Sequence, residues 1–166
     1  RWREPPQGGA AHDYVAWAKE VPGVTRAWPY PNQYGLGTVG VVFVMDNKVG
    51  TIIPSAGEVE DVQDHIETVR PVTAEVTVIA PTSVPVNLEI HISPNTEAIR
   101  NAIMAEVHDF FKRESIPGGT MYLSRLSEVI STAPGEFRHV LVAPNANIVR
   151  TYGQLSTVGT FTWDSL

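Results

Sequence analysis

Residues 84–92 read VPVNLEIHI, with an apolar side chain at every even-numbered position. Successive side chains of a β-strand point to opposite faces of the sheet, so this period of two predicts a strand that is buried on one face. Residues 93–96, SPNT, are typical of a helix N-terminus, and apolar residues recur at helical spacing from Ile99 to Phe111. The segment therefore predicts a sheet whose buried face is covered by a long helix.

Residues 81–166 predict one βααββ lobe around this strand. A Pro-Gly-Gly break separates the long helix from a second, shorter helix around Leu126. The stretches 137–142 and 158–163 predict the closing strands of the lobe. Turn-forming residues at 81–85 mark the boundary with the preceding lobe.

Residues 1–80 predict an αββαβ lobe. Its helix, two strands, helix and strand are expected at residues 13–21, 24–30, 38–45, 58–69 and 73–80. The acidic first turn that begins at Glu58 suits a helix N-terminus better than a cation site, because the ligand order of a calcium loop is missing. We therefore expect an α+β fold of two small lobes, each a mixed or antiparallel sheet covered by helices, with a ferredoxin-like arrangement as one option.

An internal echo connects the two predicted lobes. A helix, a Pro-Gly pair and a strand with Arg at the same place occur at Arg26 and again at Arg138, and a Tyr-Gly loop precedes a glycine-flanked strand at Tyr34 and at Tyr152. The echo predicts a duplicated αββ unit. Because Pro-Gly commonly ends helices and Tyr-Gly is common in loops, coincidence is the alternative interpretation.

Composition excludes several classes of function. The formal net charge of −6 and the pI near 5.3 do not favour nucleic acid as a partner, because phosphate binding needs clustered Lys and Arg. Without cysteine there are no disulfides, thiolate metal sites or Cys nucleophiles. The longest apolar run, residues 39–45, fits a strand and is far shorter than the ~20 residues that span a bilayer. The chain opens RWREPP without an initiator Met, so we interpret it as a piece of a longer protein.

Catalytic patterns are sparse, and we expect no enzyme, no cofactor and no metal site. The histidines are scattered singly, with His91 and His139 at strand positions that could face solvent. No Ser lies between glycines at a strand-to-helix turn, and neither glycine pair continues into a phosphate-binding loop. A hydrolase that uses Asp13 and a histidine such as His12 is the remaining enzymatic reading.

The tryptophans are candidate subunit contacts. Trp17 lies on the apolar stripe of the first helix, whereas Trp2 and Trp163 lie near the chain ends, where a small domain seldom buries a large aromatic side chain fully. Trp28 falls in a predicted strand. Packing within the lobes is the alternative role, since aromatic residues are enriched both in cores and at interfaces.

Several ordered motifs resemble the baseplate J-like proteins of contractile phage tails. They are PQGGAAHDYVAWA at residues 6–18, VPGVTRAW at 21–28, GTVGV at 37–41, VQDHI at 62–66 and RPVTA at 70–74. The likeness is specific through about residue 80. Beyond that point a looser pattern around residues 117–119 resembles the C-terminal part of the same family.

The resemblance implies a structural component of a tail baseplate wedge in a Mu-like phage or prophage. It implies other wedge or hub proteins as partners, several copies per assembly, neither nucleic acid nor membrane as a partner, and a location in the virion tail after assembly in the host cytoplasm. The candidate interface or motif residues are Trp2, Gly8, Gly9, Tyr14, Trp17, Arg26, Trp28 and Trp163. The rival hypothesis is a regulatory module that holds a small molecule between compact lobes.

Overall fold

The structure, a computed structural model, describes residues 8–166. Its helices are α1 (Ala11–Glu20), α2 (Ala56–Val69), α3 (Glu97–Glu114) and α4 (Leu123–Thr132). Its strands are β1 (Arg26–Pro31), β2 (Thr38–Val44), β3 (Glu75–Ile79), β4 (Thr82–Ser93), β5 (Thr120–Met121), β6 (Arg138–Ala143), β7 (Ile148–Val149) and β8 (Gln154–Ser165). The predicted α+β class is confirmed. The chain divides into two compact units, unit 1 (Arg1–Thr82) and unit 2 (Ser83–Leu166).

Unit 1 is built on a mixed three-stranded sheet in the order β1-β2-β3, with β1 antiparallel and β3 parallel to the central β2. β2 is rich in valine, whose branched side chain suits a pleated and buried surface. The helices α1 and α2 bring Tyr14, Ala18, Val62 and Ile66 onto Phe43 of this strand, and all five side chains are buried. Burial of each larger one stabilises the fold by about 1.5–3 kcal/mol.

Both edges of this sheet carry features that oppose further strand pairing. Edge strand β1 contains Pro29 and Pro31, which lack the N–H group that an added strand would need. At the other edge, Gln63 Nε2 donates to the Val76 carbonyl (3.0 Å) and Gln63 Oε1 accepts from the Val78 N–H (2.7 Å). The Gln63 amide therefore makes two hydrogen bonds to β3 of the kind that a neighbouring strand would make.

Helix α2 begins with a reciprocal cap that explains its acidic first turn. Ser55 Oγ accepts from the Glu58 N–H, and the Ser55 N–H donates to Glu58 Oε2 at 2.6 Å. Lys48 Nζ contacts the same carboxylate oxygen at 2.5 Å. The hydrogen bond from Lys48, followed by those from Ser55, lowers the pKa of Glu58 to about 2. The carboxylate thus stabilises the helix start, as the sequence predicted.

Replacing Glu58 by Gln should remove a pH-dependent contribution to stability. Because folding lowers the Glu58 pKa from 4.5 to about 2, its contribution is complete above about pH 4.5 and is lost as the pH falls towards 2. We expect Glu58→Gln to lower the free energy of unfolding at neutral pH and to flatten its decline in acid. Denaturant unfolding of both proteins between neutral pH and about pH 2 measures this, and parallel acid profiles would contradict it.

Unit 2 is built on a three-stranded sheet in the order β6-β4-β8, with β4 antiparallel to β6. Val86, Leu88, Ile90 and Ile92 are buried, while Asn87 between them is exposed, so the predicted alternation in β4 is confirmed. One face of this sheet packs against the apolar sides of α3 and α4. The other face remains without a covering helix in the described part of unit 2.

A glycine lets β8 lie close against β4. The Asn87 side chain accepts at Oδ1 from the Thr160 N–H at 3.0 Å. A Cβ atom placed on the neighbouring Gly159 would lie 2.2 Å from Asn87 Oδ1 and 2.8 Å from the Val86 carbonyl oxygen. Because part of this obstruction is backbone, only glycine fits here without a shift of a strand.

The structure corrects the sequence-based description in three respects. The short strands β5 and β7, which pair antiparallel, were absent from the predicted βααββ order. β1 and β2 are hydrogen-bonded neighbours, whereas β6 and β8 lie on opposite sides of β4, so the internal echo does not produce the same strand pairing twice. Each main sheet also has three strands, whereas a ferredoxin-like sheet has four.

Candidate assembly surfaces

Arg26, predicted as an interface residue, is bound within unit 1. Its guanidinium makes a bidentate pair with Asp46, with Nε 2.9 Å from Oδ2 and a terminal nitrogen 2.7 Å from Oδ1. Thr25 Oγ1 donates to the same Asp46 Oδ2 at 2.6 Å, and the Arg26 Cζ atom lies 5.2 Å from the centre of the Trp28 ring. The side chains of Arg26 and Asp46 are 19% and 6% exposed. This arrangement makes Arg26 a structural residue of the β1–β2 hairpin.

The glycine pair and Asp13 shape the start of α1. Gly8 and Gly9 have φ values of +70° and +123°, which glycine adopts readily, and a Cβ on Gly9 would lie 2.8 Å from the Pro71 ring. Asp13 Oδ2 accepts from the N–H groups of Gly9 (2.8 Å) and Ala10 (3.0 Å). The buried Asp13 carboxylate therefore fixes the entry into the helix, which is a structural role.

Replacing Asp13 by Ala should destabilise the start of α1. Loss of the two backbone hydrogen bonds should lower the free energy of unfolding by about 1 kcal/mol, the usual cost of a removed helix cap. The His12→Ala protein is the matched control and should lose less stability than Asp13→Ala, because the His12 side chain is 27% exposed and exposed ion pairs contribute little. Equal losses from both substitutions, measured by denaturant unfolding, would argue for a shared role of the pair instead.

Tyr14 and Trp17 anchor α1 to the unit 1 core. Their rings meet edge to face with centroids 5.0 Å apart, a favoured geometry for aromatic pairs. Tyr14 is buried, and this burial raises the pKa of its hydroxyl. Trp17 is half-buried and packs at the margin of the same core. Packing within a lobe, the alternative to a subunit contact, therefore accounts for the buried part of Trp17.

Trp163 belongs to the margin of the unit 2 core. It stacks on Phe161 with an interplanar angle of 4° and a centroid distance of 5.6 Å, and His108 of α3 lies at 6.1 Å from Phe161. Trp163 remains half-buried. Trp2 lies outside the described residues.

The selected residues lie on different elements of the two units. Gly9, Tyr14 and Trp17 meet around α1, Arg26 and Trp28 share β1, and Trp163 belongs to unit 2. Their roles as interface residues stay a prediction.

Sequence reasoning missed a polar network around His139. His139 Nδ1 lies 2.9 Å from Glu136 Oε1, and His139 Nε2 lies 2.9 Å from Ser127 Oγ of α4. The side chains of His139 and Glu136 are only 9% and 7% exposed, so the expectation that His139 faces solvent was wrong. The spacing of Glu136 and His139 was visible in the sequence, but their approach to Ser127 depends on how α4 packs against β6.

Ser127, His139 and Glu136 are connected in the same series as the serine, histidine and acid of a serine hydrolase triad. The helix around Ser127, however, does not suit catalysis. Ser127 lies inside α4, where the N–H groups of residues 127 and 128 are bonded within the helix and cannot bind an oxyanion. The network connects α4 to the beginning of β6 in unit 2. We therefore interpret it as a structural bridge.

Exposed apolar side chains mark the surfaces best suited to protein contacts. The β1–β2 loop, residues 31–37, is exposed throughout and carries Tyr34 (52% exposed) and Leu36 (95%). Thr38 Oγ1 accepts from the Tyr34 N–H at 3.0 Å and donates to the Gly35 carbonyl at 2.8 Å, which fixes the loop. On the uncovered face of the unit 2 sheet, Val140 and Val142 of β6 are 44% and 38% exposed.

Metal ions, membranes and small ligands each require a recognisable arrangement of residues. Among residues 8–166, no three His, Asp or Glu side chains are grouped as ligands for a metal ion, and no helix has both the length and the apolar character to span a bilayer. A cavity of about 20 Å³ in unit 1 is lined mainly by apolar side chains, with Glu58 and Asp61. This space is enough for about one water molecule and is far below the roughly 300–1,000 Å³ of a typical ligand pocket.

Comparisons with known proteins match both units. The Baseplate J-like central domain matches residues 6–80, and the Baseplate J-like protein C-terminal domain matches residues 82–164. JayE of Escherichia coli strain K12 is 42% identical over 159 residues, which cover 95% of this chain and 60% of that protein.

Two further relatives are named for phages or prophages. Baseplate protein gp47 of Escherichia phage Mu is 39% identical and Mu-like prophage FluMu protein gp47 of Haemophilus influenzae is 34% identical, each over 173 residues covering 98% of this chain and 48% of the relative. The chain thus spans about half the length of these two relatives. Since the two domain matches follow one another along nearly its whole length, the chain belongs to the baseplate J-like protein family.

Proposed function

We propose that this chain is a structural subunit of a contractile phage or prophage tail baseplate and acts through protein–protein contacts during wedge assembly. The observation that carries the proposal is the consecutive match to the central and C-terminal baseplate J-like domains. The similarity to baseplate protein gp47 of phage Mu supports it. Its partners are other wedge and hub proteins, its place is the virion tail after assembly in the host cytoplasm, and several copies enter each baseplate.

The β1–β2 loop is the contact element that we assign to unit 1. Its backbone is held by hydrogen bonds to Thr38, while Tyr34 and Leu36 project large apolar surface into solvent. Aromatic and aliphatic side chains on a preorganised loop bind a partner at a low entropic cost. Such a contact needs neither a cofactor nor a reacting group.

Reconstitution with the neighbouring tail proteins tests the proposal. Light scattering of mixtures should detect a complex, and Tyr34→Ser combined with Leu36→Ser should weaken it by about 10-fold or more. Val72→Ser is the matched control because Val72 is 98% exposed on another loop of unit 1. Absence of any complex with the folded parent chain would oppose the assembly role, and equal weakening by the control would oppose the loop assignment.

A non-enzymatic role follows from the same proposal. The Ser127–His139–Glu136 network is the arrangement nearest to a catalytic one in the described residues, and its serine is embedded in a helix. We expect a fluorophosphonate probe to leave Ser127 unlabelled in intact protein, as peptide mass spectrometry would show. Labelling that depended on His139 would contradict a purely structural role.

A further inference from the structure

The outer edge of β6 is open to hydrogen bonding. β6 is an edge strand that pairs with β4 on one side, and in the described part of the chain no backbone hydrogen bond joins residues 138–143 to any other segment. Val140 and Val142 expose 44% and 38% of their surface beside this edge. An edge strand with free backbone groups and apolar side chains is a template for another strand.

The other edges of the two three-stranded sheets carry obstacles, over at least part of their length, that β6 lacks. β1 has two prolines and β3 is bonded by the Gln63 amide. The start of β8 is bonded by Gly118, whose N–H donates to the Gln154 carbonyl at 2.9 Å, and by Ser115, whose Oγ donates to the Ser156 carbonyl at 2.7 Å. β6, with the sequence RHVLVA, has no proline, lysine or acidic residue. This contrast distinguishes β6 as the edge suited to strand addition.

We propose that β6 pairs antiparallel with β6 of a second copy of this chain and joins two unit 2 sheets. Identical strands pair around a two-fold axis only in the antiparallel sense, which gives each copy the same contacts. The register that fits the side chains places Val140 opposite Val142 of the second copy. The valines of both copies then cluster on the uncovered face of the joined sheet, which favours the pairing.

The charges along β6 are compatible with this self-pairing. Arg138 is the only Lys, Arg, Asp or Glu in the strand, and in the proposed register it lies opposite Pro144 of the second copy. Two arginines therefore never face each other. His139 is turned inward to Glu136 and Ser127, so it adds no charge at the edge. Like charges directly opposite each other would have destabilised the pair.

The pairing alone is weak, so its role rests on the proposed function. Six residues of β6 extend over roughly 20 Å, and a single strand contact of that length buries far less than the about 800 Å² per partner of stable interfaces. Copies held together in an assembly meet at a high effective concentration, where a weak contact becomes occupied. The strand contact would then join neighbouring copies.

Disulfide trapping tests the register, because the natural chain has no cysteine. Opposite residues of antiparallel strands have Cα atoms about 4.5–5.5 Å apart, within the range of a disulfide. A mixture of Val140→Cys and Val142→Cys proteins should therefore form the mixed disulfide about 10-fold faster than either protein links to itself, since like residues lie about 7–8 Å apart on a diagonal. Val149→Cys, 67% exposed on β7, is the control for random collision.

A second variant separates this inference from the proposed function. At high protein concentration, where a weak pairing becomes populated, we expect the sedimentation coefficient of the parent chain to increase. Val140→Lys with Val142→Lys should abolish this increase, while Thr162→Lys on β8 should preserve it. Circular dichroism checks that each protein is folded. Mixed disulfides no faster than the Val149→Cys control would overturn the pairing. If the pairing were overturned in this way but tail proteins still bound the chain, the assembly role would stand without the pairing. If tail proteins failed to bind but the mixed disulfide still formed faster than the control, the pairing would stand without the assembly role.

Discussion

Replacing Arg26 by Met is expected to lower the free energy of unfolding of unit 1 by about 3 kcal/mol, because it leaves the nearly buried Asp46 carboxylate without its charged partner. Asp46 is 6% exposed and receives both arms of the guanidinium. Hydrogen exchange of β2 amides under native conditions measures the loss within unit 1. Were Arg26 only an interface contact, the isolated chain would show no such loss.

The matched control is the double substitution Arg26→Met with Asp46→Asn. It removes the buried charge together with its partner, so we expect it to recover part of the stability lost by Arg26→Met alone. Thr25 Oγ1, which donates to Asp46 in the natural chain, can still donate to the amide oxygen of Asn. A double variant less stable than the single one would mean that hydrogen-bond geometry, not an uncompensated charge, dominates this site.

Replacing Gly159 by Ala is expected to cost about 3 kcal/mol in unit 2, near the upper end of the usual range for overpacking. The added methyl group would meet both a movable atom, Asn87 Oδ1, and a fixed one, the Val86 carbonyl oxygen. Moving Asn87 would also break its hydrogen bond from the Thr160 N–H. Hydrogen exchange of β4 and β8 amides should report the loss.

Gly57→Ala is the opposite case and serves as the control. Gly57 lies in the first turn of α2, and an added Cβ would meet nothing within 4 Å. Alanine has a higher helix propensity, so this substitution should stabilise unit 1 by about 0.5–1 kcal/mol. If Gly159→Ala were tolerated as well as Gly57→Ala, the close approach of β8 to β4 would be wrong.

Prediction of secondary structure was most accurate where a side-chain period extended over several helical turns or several strand residues. The alternation at 84–92 and the apolar stripe from Ile99 to Phe111 each depend on backbone geometry alone, so both could be read without knowing the tertiary packing. β5 and β7 have two residues each, too few to show a period. Their pairing depends on the path of the chain and was missed.

The side-chain contacts of the candidate residues were harder to predict, because the contacting residues are distant in sequence. Asp46 lies 20 residues from Arg26, although the predicted hairpin already implied that the ends of its two strands meet. Ser127 and His139 come together only when α4 is packed onto the sheet. The internal echo and the family motif identified Arg26, but they could not show that its charge is used within unit 1.

The hydrogen bonds that the Gln63 amide makes to β3 affect how readily the chain can aggregate at high protein concentration. Sheet edges that accept strands from any neighbour nucleate fibrillar aggregates, a hazard that grows with the amount of protein present. Because a side chain of the same molecule already occupies two hydrogen-bonding groups of β3, a stray chain would have to displace it before it could bind there. We therefore expect the Gln63 amide to reduce edge-to-edge aggregation of unit 1 at this strand.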